Sequence, residues 1–110
     1  MRTHQEIDAR SLAMHRLVAE KIRRNPALLA RAESTLSNWR KTVSASSQPY
    51  LQEWERLFQQ GLDACLAVAT EDSQRAAALR QCSPFAGILT NEERLSFLRD
   101  WSRDREAQRT

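Results

Sequence analysis

The sequence predicts an all-α domain, and three observations carry that expectation. Glycine and proline number only two and three in 110 residues, too few for the turns of an all-β chain. Apolar residues recur at spacings of three and four along most of the length. Asp, Asn, Ser or Thr stands ahead of several of these periodic runs, as helix starts require. At 12.7 kDa the chain makes one domain with a modest core. A compact bundle or orthogonal array of five to six helices is expected over residues 1–110, with 1–7 and 104–110 as flexible tails.

The first helix is expected from Asp8, as N-cap, to about Arg24, with Leu12, Met14, Leu17, Val18 and Ile22 on its apolar face. Arg23 and Arg24 fall at its C-terminal end, where positive charge suits the helix dipole. Asn25-Pro26 closes this helix and opens the next, Asn25 as cap and Pro26 at the first helical position. The second helix, about Pro26 to Val43, carries one narrow stripe of Leu29, Ala32, Leu36, Trp39 and Val43. Ser44 to Gln48 reads as a flexible loop. Pro49 then restarts a helix bearing Leu51, Trp54, Leu57, Phe58, Leu62, Cys65, Leu66 and Ala69. Gly61 lies on that face, where it is expected to let a neighbouring helix approach rather than to end the helix.

Thr70 and Ser73 mark a break, followed by a short Ala-rich helix to Gln81. The next stretch, RQCSPFAGILTNEER from Arg80 to Arg94, is dense in turn chemistry. Ser83-Pro84 is expected to open another helical turn around Phe85 and Ala86, with Gly87 as a hinge. Thr90 and Glu93 form a capping box for the last helix, which presents Leu95, Leu98 and Trp101. The whole stretch reads as a rigid corner locking the last helix onto the core.

Net charge is +3, unevenly spread: residues 1–45 hold nine basic and four acidic side chains (+5), and residues 46–110 hold eight and ten (−2). Met1 to Arg10 has no apolar run, and no stretch approaches the ~18–20 apolar residues of a membrane span. With Cys65 and Cys82 as the only cysteines, a cytoplasmic protein with reduced thiols is expected, with no membrane partner.

Chemistry finds little purchase here. His4, His15, Cys65 and Cys82 are scattered, without the paired short spacings of a zinc site. There is no glycine-rich phosphate loop, and no cofactor is expected. A nucleophilic cysteine wants a histidine within reach, but His15 reads as a surface histidine and Cys82 as a small packed thiol. Acidic pairs such as Glu92-Glu93 sit at helix starts, where the dipole explains them. No catalytic or metal-binding residue is assigned, and the protein is expected not to be an enzyme.

Binding is the stronger expectation. Trp39, Trp54 and Trp101 fall on apolar stripes and read as core. Together with Tyr50, Phe58, Phe85 and Phe97, they exceed what one small core readily hides. Leu95 and Leu98 share a face while Phe97 points elsewhere, which makes Phe97 the candidate exposed anchor. Arg80, Phe85 and Arg94 join it as partner-binding candidates if they turn outward from the corner. The alternative is a DNA-binding transcriptional regulator using Arg16, Lys21, Arg23, Arg24, Arg31, Arg40 and Lys41 on phosphates. Against base readout, the helix after Asn25-Pro26 begins PALLARAE, which is apolar where a recognition helix should be polar.

The segment LRQCSPFAGILTNEER resembles a pattern of small bacterial helical proteins, L-R-Q-x-S-P-F-A-G-x-L-x-x-x-E-R near the C-terminus. DARSLAMHRLVAEKIRRNPALLARA is similar to their N-terminal part, so the resemblance spans most of residues 8–101. Such proteins accompany toxin–antitoxin or mobile-element loci. The resemblance therefore implies an antitoxin-like or regulatory protein that binds a partner protein, with no catalytic residue to transfer. Self-association is left open.

Overall fold

The computed structural model describes the backbone of residues 4–85 and 87–109, and the side chains of residues 5–85 and 87–106. Six α-helices follow one another: α1 (His4–Arg24), α2 (Leu29–Thr42), α3 (Gln48–Gln60), α4 (Leu62–Ala69), α5 (Gln74–Gln81) and α6 (Asn91–Arg109). Two single 3-10 turns, Pro26–Leu28 and Ala45–Ser47, precede α2 and α3. No strand occurs among the described residues.

The core lies where α3 packs on α2, α4 and α5, with α1 laid across α4 and α5. Ile22, Ala32, Leu36, Leu51, Trp54 and Leu66 meet there, each buried. Trp54 is fully enclosed, and its indole N–H donates to the Leu79 carbonyl at 2.8 Å. That bond meets the condition under which a tryptophan can be buried without loss.

Several boundaries differ from the sequence expectation, each for a local reason. Helix α1 begins at His4, so Asp8 sits inside it and does not cap it. Asn25 breaks the chain with an extended backbone (φ −140°, ψ 82°), but its side chain caps nothing, and Pro26 opens a 3-10 turn. The Ser44–Gln48 loop is tied down: the Gln48 side-chain amide donates to the carbonyls of Arg40 and Val43. Gly61 divides the expected third helix in two. Its φ of +115° lies where L side chains rarely go, and a Cβ there would meet nothing within 4 Å. Conformational freedom, not close approach of a neighbour, is therefore what glycine supplies at this position. The expected break before α5 is capped by Ser73, its hydroxyl accepting the Ala76 N–H at 3.1 Å. Helix α6 continues past Arg103 to Arg109.

Helix α6 stands apart. It runs antiparallel to α1, because Lys21 near the end of α1 pairs with Glu93 at 2.5 Å and Arg105 pairs with Glu6 near its start. None of its described side chains is buried.

Candidate functional site

The turn between α5 and α6 is built around a histidine that sequence reasoning placed on the surface. His15 is buried, and its Nδ1 lies 2.7 Å from the Ser11 carbonyl. A carbonyl only accepts, so Nδ1 carries the proton of the neutral ring, and Nε2 is left as an acceptor. The Ser83 hydroxyl, 2.7 Å away, donates to it, while Ser83 Oγ accepts the Phe85 N–H at 3.2 Å. That second bond closes a serine turn, and the described residues around it form turns and not the helical turn expected around Phe85 and Ala86, of which Ala86 lies outside the described residues. Burial lowers the His15 pKa; the Ser11 carbonyl opposes this and the nearby Arg80 guanidinium adds to it.

Around this pair the corner packs tightly. Phe85 is 1% exposed, edge-on to Trp54 (centroids 5.4 Å apart) and to His15 (6.2 Å), and stacked on Phe58 (5.9 Å). Arg80 is also buried, donating to the Ala69 and Glu71 carbonyls at 3.2 and 2.8 Å, which ties α5 to the end of α4. Its Nε has no hydrogen-bond partner among the described residues. The capping box forms as expected: the Thr90 N–H donates to Glu93 Oε1 at 2.8 Å and the Glu93 N–H to Thr90 Oγ1 at 3.1 Å. Lys21 Nζ clamps this box from α1, bonding Glu93 and the Ile88 carbonyl (2.9 Å). Lys21 and the Thr90 amide hold the Glu93 carboxyl down to about 2.

The four partner-binding candidates therefore divide. Arg80 and Phe85 point into the core, and Arg94 is exposed on α6. Phe97 is half-buried and stacked on Trp101 at 6.1 Å; the exposed apolar side chain of this helix is instead Leu95, at 56%. The seven basic candidates divide too. Lys21 clamps the corner, Arg40 pairs with Glu55 (3.2 Å), Arg24 lies 3.9 Å from Glu20, and Arg31 reaches the Gly87 carbonyl. Arg16, Arg23 and Lys41 are exposed and make no ion pair among the described residues.

A serine hydroxyl on a histidine nitrogen is the arrangement of a nucleophile and its base. Here both side chains are only 8% exposed, and neither lines any of the four cavities found on the surface. A reacting carbonyl has no room beside Ser83, so the pair acts as a strut between α1 and the turn. The Cys65 thiol is buried and pushed up to about 11 by desolvation, far from thiolate chemistry. Among the described residues no group of three or more His, Cys, Asp or Glu could hold a metal ion. Among the described residues no helix is long and apolar enough to cross a membrane.

Two of these cavities open along α6. A groove of about 710 Å³ runs between α1 and α6, floored by Ala13, Leu17, Phe97 and Trp101. On the other side of the helix Leu95 and Leu98 line a shallower face. The Leu95 side was legible in the sequence as an i, i+3 pair; the groove was not, since it depends on how far α6 stands off α1. The chain matches no protein-family model, no curated protein and no solved structure.

Proposed function

We propose that this protein is a non-enzymatic interaction module that binds a partner protein through α6 and the α1 surface beneath it. One observation carries the reading: among the described side chains, α6 is the α-helix that buries none, although it holds Leu95, Phe97, Leu98 and Trp101. Helices in proteins draw most of their stability from packing an apolar face. A helix of 19 residues whose apolar side chains stay half-covered is one whose packing a partner completes. The antitoxin-like role implied by the SPFAG resemblance is a specific form of this reading.

Affinity capture with the full chain tests it. Wild-type protein and a Leu95→Glu/Leu98→Glu variant are compared, with Ser37→Glu on α2 as control. A partner retained by wild type and control but lost from the α6 variant is the expected result. Equal recovery by all three removes the reading. The DNA-binding alternative has less support, because only Arg16, Arg23 and Lys41 of its seven cations make no ion pair or hydrogen bond among the described residues. Three phosphate contacts would give a log–log salt slope of about −3, and duplex binding without such a slope ends that alternative.

A further inference from the structure

The α1–α6 groove differs in charge from three other cavities on the surface. Its rim carries Glu92, Glu93, Asp100 and Asp104, with Lys21 paired to Glu93 at one end and Arg105 over the Trp101 ring at the other. The other three cavities mix signs: Arg99 and Arg103 face Glu92 and Glu106, Arg80 faces Asp8 and Asp72, and Arg40 and Lys41 face Glu33 and Glu55. This acidic rim occurs on a chain whose net charge is +3.

The helix itself does not account for all of it. Glu92 and Glu93 suit the helix start, and Glu93 is engaged by Lys21. Asp100 and Asp104 lie mid-helix, where aspartate is a poor helix former and where like charges four residues apart repel. Neither makes an ion pair among the described residues. Between the rim residues lies the Phe97–Trp101 stack, half-buried, with its rings 25° apart. Arg105 sits over the Trp101 ring at 6.0 Å, but its guanidinium is held by Glu6.

We propose that this groove receives a basic amphipathic segment of the partner protein, an inference that rests on α6 being a docking element. Leucine-like side chains of that segment cover Leu17 and Phe97. Lysine or arginine stems lie along Trp101 and place their charged heads against Asp100 and Asp104. The same rim repels acidic partners, including nucleic acid and anionic membrane.

Three synthetic helical peptides of about 18 residues test the chemistry against the full-length chain. The first carries a leucine stripe with lysine elsewhere, the second the same stripe with glutamate, and the third is the lysine peptide with its leucines scrambled. Binding is read by calorimetry and by NMR shifts of the Trp101 indole and Leu17 methyls. The striped lysine peptide is expected to bind and move those signals. Affinity should fall about tenfold in Asp100→Asn/Asp104→Asn, whose replaced side chains are exposed, and should fall further with added salt. If the glutamate peptide binds the groove as well, the charge assignment fails while docking on α6 survives. Equal binding of the scrambled peptide shows charge attraction without a groove and overturns the inference. Silence of these signals with all three peptides also overturns it. The docking reading is then decided separately by the capture experiment with the Leu95/Leu98 variant.

Discussion

Acidification should destabilise this protein through a single histidine, and the His15→Gln variant should not share that loss. His15 is buried and neutral, holding the Ser83 hydroxyl on Nε2 and the Ser11 carbonyl on Nδ1. Burial lowers its pKa below the ordinary 6.5, so a proton is harder to add in the folded state than in the unfolded chain. About a unit or more above pH 6.5 the ring is neutral in both states and stability is independent of it. Below that value the unfolded chain takes up a proton that the folded protein resists, so the free energy of unfolding falls with pH until the folded pKa is reached. Between pH 7.5 and 5.5 the loss is at most about 1.4 kcal/mol, the bound for a folded ring that takes up no proton in that range. That is a sizeable part of the ~5–15 kcal/mol typical of a domain. Urea unfolding followed by circular dichroism at pH 7.5, 6.5 and 5.5, on wild type and His15→Gln, reads the difference directly. Because both proteins retain His4, subtraction isolates His15. Equal pH slopes in the two proteins would refute the reasoning. Glu93, held to about 2, adds its own loss only in a lower window, as pH falls from about 4.5 towards 2.

Three further outcomes follow from the same packing. Phe85→Ala removes a ring enclosed by Trp54, Phe58 and His15 and should cost ~3–5 kcal/mol by urea unfolding; a loss below about 1 kcal/mol would mean Phe85 is not core. Gly61→Ala places a Cβ at φ +115° and should cost ~1–3 kcal/mol although the space is open, visible as a lowered Tm; an unchanged Tm would contradict the strained geometry. Native protein exposed to iodoacetamide at neutral pH should be alkylated at the half-buried Cys82 and spared at Cys65, which is buried with its pKa pushed up to about 11. Mass spectrometry of the digest would show the reverse order if Cys65 were the accessible thiol.

Local chemistry was the readable part of this chain. The Thr90–Glu93 box depends on atoms within three residues of one another, and it forms as its sequence predicts. The stripe through Leu29, Ala32, Leu36, Trp39 and Val43 likewise faces the core, since helical spacing alone brings those side chains to one side. Gly61 was misread because spacing puts it on the apolar face whether or not the helix continues. Only its backbone angle reveals the break. His15 was misread for a different reason. Its partner lies 68 residues away, and nothing near His15 in the sequence points to Ser83.

The RQCSPFAGILTNEER stretch shows where the division lies. From the sequence alone it reads as a rigid corner locking the last helix onto the core; in the tertiary structure His15 and Lys21, both from α1, bond Ser83, the Ile88 carbonyl and Glu93, while α6 buries none of its described side chains in that core. The sequence also determined that the fold is helical, because the 3.6-residue repeat and the caps act within a turn or two of the chain. It could not determine which way the corner's side chains point. Phe85 and Arg80 turn inward and α6 is carried outward along α1, because those directions depend on packing between elements far apart in sequence. The groove and its acidic rim exist only as a result of that packing.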